Sequence, residues 1–310
     1  MMTEKQTSSL YFAVRVRVLC KFSGQLLLIF SALLFVPFCF SLLVGEYPLA
    51  GAYGGILVVS AVAGFFLQRM EAQTDVQTNE ILVISALVFI VAPLLASIPF
   101  FWCGLTWMDA FFEAVSGITT TGLSTLADVE ELPRSFLFAR AWLQWIGGLG
   151  IVVLSVAFLL PQSKATLHLF KQNWEKEGIV ASTKSYARII LQVYLFLSVT
   201  GIFFLLVLGV DWFDAIVHVL AAVSTGGFSS SNESLAGLNG RSAQIAITLL
   251  SSLGAVPFFL YYLVIRQGWR EFTGNEEVRG LVVLAFLAVV VTGTSLVAAD
   301  GFSLGQGTVS

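Results

Sequence analysis

Trp107–Ser124 reads WMDAFFEAVSGITTTGLS and Trp212–Ser229 reads WFDAIVHVLAAVSTGGFS. A shift of 105 residues, from Trp107 to Trp212, superimposes them without a gap and matches Asp109 with Asp214, Ala110 with Ala215, Thr120 with Thr225, Gly122 with Gly227 and Ser124 with Ser229. This is an internal repeat. In each copy roughly 13 moderately apolar residues precede a Thr/Ser/Gly run, and at 1.5 Å per residue they reach about 20 Å, too short to cross a bilayer as a helix. Each segment therefore dips into the membrane and returns.

The rest of the chain supplies the membrane. Of 310 residues 57% are hydrophobic and 11% charged, with a mean hydropathy of +0.89; a soluble domain carries about 25% charged residues. Seven apolar runs are long enough to span, at 22–44, 47–67, 81–103, 138–160, 187–210, 242–265 and 281–299. The first lacks a small-residue cleavage site and a second follows at once, so it is a retained span and not a signal peptide. Cys20, Cys39 and Cys103 form no CxxC pair and His168 and His218 are the two histidines, which excludes disulfide scaffolds and His-rich zinc sites. HExxH and GxSxG are absent, and no enzyme is expected.

Charge sets the orientation. With the N-terminus cytoplasmic, every Lys and Arg of the 16 except Arg134, Arg140 and Arg241 falls inside, as the positive-inside rule requires, and the C-terminus lies outside. The outer side then collects Glu46, Asp109, Glu113, Asp128, Glu130, Glu131, Asp211, Asp214, Glu233 and Asp300, an acidic face that concentrates cations. Two whole spans separate the two short segments, so both enter from that outer face and the duplication is parallel.

Thr106 with Asp109, and Asp211 with Asp214, stand three apart at the starts of the half-helices, the spacing of a capping box. The half-helix C-termini, carrying partial negative charge, then point into the membrane at the Thr/Ser/Gly runs. Extended backbone at that depth leaves carbonyls unpaired, at several kcal/mol each, unless protein, water or an ion satisfies them. Gly122 and Gly227 tolerate φ > 0 and can turn successive carbonyls to one axis. A ring of such carbonyls replaces the hydration shell of an alkali cation, as in a potassium filter. The fold expected is an all-α polytopic membrane protein of repeated outer helix, re-entrant pore helix with filter loop, and inner helix, potassium-channel-like.

Further residues admit two readings each. Gly147, Gly148 and Gly150 are either a hinge or, more often for small residues in membrane helices, a packing surface. Glu113 and His218 align and are expected to hydrogen-bond behind the loops. Pro37, Pro93, Pro99 and Pro257 fall within spans as kinks, Trp102, Trp107 and Trp212 suit an outer interfacial belt, and His168 suits the membrane interface. The inside loop with Lys164, Lys171, Lys176, Lys184, Glu175 and Glu177 serves either topology and lipid headgroups or a docked partner.

Three stretches, SGITTTG (Ser116–Gly122), RAWLQWIGGLGIVVL (Arg140–Leu154) and VSTGGFS (Val223–Ser229), resemble the Trk/Ktr potassium uptake family in order and spacing. The resemblance implies four pore repeats after an accessory helix pair, a homodimer with a pore in each subunit, and gating by a cytoplasmic ring of nucleotide-binding regulatory subunits. It implies Thr119, Thr120, Thr121 and Gly122 as the first filter segment and Ser224, Thr225, Gly226 and Gly227 as the second. Potassium is then substrate, with no cofactor, and the setting a bacterial inner membrane. On this pattern residues 1–80 are the tail and accessory pair, 81–186 and 187–279 the first two repeats with their cytoplasmic linkers, and 280–310 the outer helix of an incomplete third. The family's intracellular gating loop and fourth-repeat basic residue lie beyond these repeats. Two of four repeats predict that conduction needs a second copy or a missing C-terminal half; the alternatives are a non-conducting truncated scaffold and a sodium-permeable or ion-coupled transporter.

Overall fold

In a computed structural model the described residues, 13–72, 76–162, 183–238 and 240–306, contain helices and no strand. Lys5, Lys164, His168, Lys171, Glu175, Lys176 and Glu177 lie outside them. The chain forms two compact units, 1–255 and 256–310.

In the first unit α1 (Val16–Val44) turns through Gly45, at φ +83°, into α2 (Tyr47–Gln68). The two pack closely along their lengths, because Gly24 and Gly64 present bare backbone to each other: a Cβ on Gly64 would lie 2.8 Å from the Gly24 carbonyl oxygen. α3 (Thr78–Phe101) carries Glu80 in its first turn, fully buried and taking a two-pronged contact from Arg15, Nε at 2.7 Å and Nη2 at 2.8 Å. That fork fixes the chain entering α1 against the start of α3.

Next come the half-helix α4 (Trp107–Ile118), α5 (Arg134–Gln162), α6 (Thr183–Val207), the second half-helix α7 (Trp212–Val223), a 3-10 turn (Ser234–Gly237) and α8 (Arg241–Gly254). α4 packs on α3 and α5, and α7 on α5, α6 and α8, so α5 touches both half-helices. The α1–α2 corner is tied to α5 by Glu46, whose carboxylate accepts the Arg134 and Ser135 N–H groups at 2.9 and 3.0 Å and the Ser135 hydroxyl. A carboxylate there satisfies free amides and meets the positive end of the helix dipole. Deeper, Trp142 Nε1 donates to the Leu33 carbonyl at 3.0 Å.

The second unit holds α9 (Phe258–Gln267), α10 (Arg270–Gly274) and α11 (Glu276–Gln306) around Val256, Leu260 and Val278. Asn275 Oδ1 accepts the Glu277 and Val278 amides and starts α11. Among the described residues five helices are long and apolar enough to cross a bilayer, six if α8 and α9 count as one broken span. The apolar run 242–265 thus differs from expectation: it is interrupted at 255–257, where Pro257 starts a new helix instead of kinking an old one. Pro37, Pro93 and Pro99 do sit inside continuous helices.

Candidate functional site

Both half-helices run 12 residues, about 18 Å. Thr106 starts the first, its hydroxyl oxygen accepting the Asp109 N–H at 3.2 Å and donating to Asp109 Oδ2 at 2.6 Å. Asp211 starts the second by accepting the Phe213 N–H at 3.0 Å. Asp214 departs from the expected box: its carboxylate takes the Ser230 hydroxyl at 2.6 Å, so it anchors the far end of its own loop. Trp102, Trp107 and Trp212 near these starts are exposed, as an interfacial belt needs.

The two C-termini end alike. Thr120 and Thr121 donate their N–H groups to the Gly117 and Ser116 carbonyls at 3.0 and 2.9 Å; Thr225 and Gly226 donate to Ala222 and Ala221 at 3.0 and 2.8 Å. This is a Schellman closure, which requires a left-handed residue after the cap. Threonine fills that place twice, Thr120 at φ +54° and Thr225 at φ +53°. A β-branched residue there costs of order 1–3 kcal/mol and persists only where its surroundings force it. Two residues on, Gly122 and Gly227 return to positive φ at +76° and +86°. Alternating handedness turns successive carbonyls out of the strand-like up-and-down pattern.

Side chains behind the loops hold this backbone. Glu113, fully buried, accepts the Ser124 hydroxyl at 2.7 Å and the Thr125 N–H at 2.9 Å, and its second oxygen lies 2.8 Å from Arg140 Nη2. His218, aligned with Glu113, reaches Ser229, aligned with Ser124, at 3.0 Å, its other ring nitrogen 2.8 Å from the Asp214 carbonyl. Both therefore hydrogen-bond behind the loops as expected. Glu113 and Arg140, counted above among the outer charges, are instead sealed inside the protein as a pair, with Arg140 also 4.0 Å above the Phe228 ring. The Thr119 and Ser224 hydroxyls donate back to Val115 and Leu220 carbonyls at 2.7 and 2.8 Å, and Thr225 Oγ1 donates to the Ser224 carbonyl at 2.7 Å.

The loops also meet each other. A methyl on Gly122 would run into the Gly226 carbonyl oxygen, and one on Gly226 into the Gln144 carboxamide. Gln144 Oε1 accepts the Phe228 N–H at 3.1 Å. On the inner helices, a Cβ at Gly147 would collide with the Ile118 carbonyl, and one at Gly254 would lie 2.6 Å from the Val223 carbonyl oxygen. Ile118 and Val223 are aligned half-helix ends, so one glycine seats each half-helix on its inner helix. Gly148 likewise abuts Ser224 and Tyr194, and Gly150 has open space around it; packing accounts for the first two. Gln144, Arg140 and Gly254 carry no signal in the gapless repeat, which ends at Ser229. Matching Gly147 with Gly254 needs two extra residues between loop and inner helix.

Outside the loops, Asn232 joins the repeats. Its Oδ1 accepts the Val129 N–H at 2.7 Å, its Nδ2 donates to Asp128 at 2.8 Å, and its N–H donates to Glu130 at 3.0 Å. The Asn232 amide, then the Glu130 N–H, hold the Asp128 carboxyl below its usual range. A depressed folded pKa contributes stability above the unfolded value and loses it as pH falls through the folded one. Acidification below about pH 4 is therefore expected to loosen the 126–132 loop, and Asn232→Ala to leave it loose at neutral pH. Hydrogen exchange checks both; equal protection in variant and parent at neutral pH refutes the staple.

Residues 53–300 match the TrkH family, described as a cation transport protein. The chain is 28% identical over 310 residues to the Trk system potassium uptake protein TrkH of Halomonas elongata, covering 94% of this chain and 62% of that one. It is 29% identical to the Trk system potassium uptake protein TrkG of Escherichia coli, covering 89% and 59%. The crystal structure of the potassium transporter TrkH from Vibrio parahaemolyticus superimposes with a TM-score of 0.74 at 24% identity over 90% of this chain and 58% of that one. The chain thus spans about three-fifths of the length of these relatives.

Proposed function

The chain belongs to the TrkH family of cation transport proteins, and on that premise we propose that it forms part of a potassium uptake path across a bacterial inner membrane. Thr119, Thr120, Thr121 and Gly122, with Ser224, Thr225, Gly226 and Gly227, are the filter segments, acting through backbone carbonyls. The observation that carries this proposal is the doubled loop: two aligned half-helices close on left-handed threonines and return to positive φ at Gly122 and Gly227. Strain repeated at matching positions is what a functional backbone geometry leaves behind. Carbonyl oxygens held in this way replace water around a dehydrated cation without a covalent step.

Two such segments fill about half of a cation's coordination sites, so the conducting unit holds four, with 81–186 and 187–279 as two of them. The others come from a second copy or from further chain, and a cytoplasmic nucleotide-binding subunit is the expected regulatory partner. A host lacking its own potassium uptake, expressing the chain, tests the proposal through growth at limiting potassium and rubidium-86 uptake. Growth and uptake that sodium does not match are expected when all four segments are supplied. No uptake with a complete set, or equal sodium and rubidium entry, overturns it.

A further inference from the structure

Resting on that ion-path reading, we infer that Gln144 is the positioning residue that sets the second filter segment from the inner helix of the first repeat. Gln144 lies on α5 and is fully buried. Its Oε1 accepts the Phe228 N–H at 3.1 Å, directly after Gly227. The carboxamide orientation follows from that bond, because only the oxygen can accept. Its carbon would lie 2.4 Å from a Cβ at position 226, so Gly226 is the residue that admits it. Its Nε2 would lie 3.6 Å from a Cβ at Gly122, which places the carboxamide at the seam where the two loops touch.

Nε2 has no hydrogen-bond partner among the described residues. A buried amide with an idle donor is costly, and leucine would fill the same space without that cost. What the carboxamide supplies instead is an acceptor for the Phe228 N–H and a flat group against Gly226. The second repeat shows the contrast. With Gly147 matched to Gly254, the position aligned with Gln144 is Ser251, which lines a cavity of about 340 Å³ with His218, Ala222, Thr225, Gly227 and Ile247.

The test uses the full chain in lipid nanodiscs and follows amide exchange at 224–230, with rubidium-86 and sodium-22 uptake measured separately in cells. Gln144→Leu, which lacks the acceptor, is expected to raise Phe228 amide exchange about tenfold. The 107–118 half-helix should keep its protection. The parent, with its acceptor oxygen in place, sets the reference protection at Phe228, and Gly150→Ala, in open space on the same helix, should match it. Gln144→Asn withdraws the acceptor by about 1.5 Å with unchanged polarity; it should raise Phe228 exchange too, and it carries the test if leucine impairs folding. In conducting cells the unprotected variants should discriminate rubidium from sodium less well than the parent. Undiminished Phe228 protection in both Gln144→Leu and Gln144→Asn, or unchanged discrimination alongside lost protection, overturns the role. If the parent passes no cation even when all four segments are supplied, the ion-path reading fails while the exchange data still decide whether Gln144 fixes the loop.

Discussion

Arg140→Leu is expected to destabilise the folded chain by about 3–5 kcal/mol, the cost of stranding a buried charge without its partner. Glu113 has no exposed surface and Arg140 almost none, and their closest atoms are 2.8 Å apart. Removing the guanidinium leaves the Glu113 carboxylate with the Ser124 hydroxyl and the Thr125 N–H alone, in surroundings that cannot solvate it. It also uncovers the Phe228 ring. The second repeat indicates the remedy. There the aligned acceptor is His218, which holds Ser229, and the inner-helix position corresponding to Arg140 is Ile247, which is apolar and buried. The double variant Glu113→His with Arg140→Ile therefore imports a combination that the protein already folds with, and most of the lost stability should return. Thermal unfolding in detergent, with the monodisperse fraction on gel filtration, reads both. Should Arg140→Leu melt with the parent, the pair contributes nothing; should the double variant be as unstable as the single, the two repeats do not share a bracing plan.

That comparison shows what could be read from residues alone. The gapless match from Trp107 to Ser124 and from Trp212 to Ser229 revealed the half-helices and the glycines with positive φ, and Thr106 and Asp211 just before them marked the caps, because local backbone chemistry dictates each of these; the box expected at Asp214 did not form, since that carboxylate holds Ser230. Alignment of Glu113 with His218 predicted that both would brace the loops, and they do. What escaped lies where one repeat touches the other. Arg140 reads as an outer basic residue until the fold encloses it, since charge counting assigns a side of the membrane and not a depth. Gln144 and Asn232 have no counterpart in the repeat, and each acts across more than 80 residues of sequence. Pro257 misled for a different reason: a proline in an apolar run is compatible with a kink or a break, and only the packing of Val256 and Leu260 into their own cluster favours the break.

The same seam separates two substitutions that look equivalent in sequence, Gly122→Ala and Gly227→Ala. Both residues hold positive φ, +76° and +86°, and at either one alanine pays about 1–2 kcal/mol for the left-handed backbone. At Gly227 that is the whole effect, since nothing stands within 4 Å of an added methyl. At Gly122 the methyl also overlaps the Gly226 carbonyl oxygen, so one loop must move off the other, and a displaced carbonyl is a displaced ion ligand if these loops line the path. Gly122→Ala is therefore expected to abolish rubidium uptake or its preference over sodium, while Gly227→Ala lowers uptake and keeps part of the preference. Gly150→Ala, in open space on α5, serves as the control and should match the parent. The assay is competitive rubidium-86 and sodium-22 uptake by a complete conducting assembly, normalised to membrane-inserted protein. Equal losses in the two loop variants would mean that φ strain alone governs the loops' effect on uptake; a greater loss at Gly227 would mean that the contact between Gly122 and the Gly226 carbonyl does not control uptake.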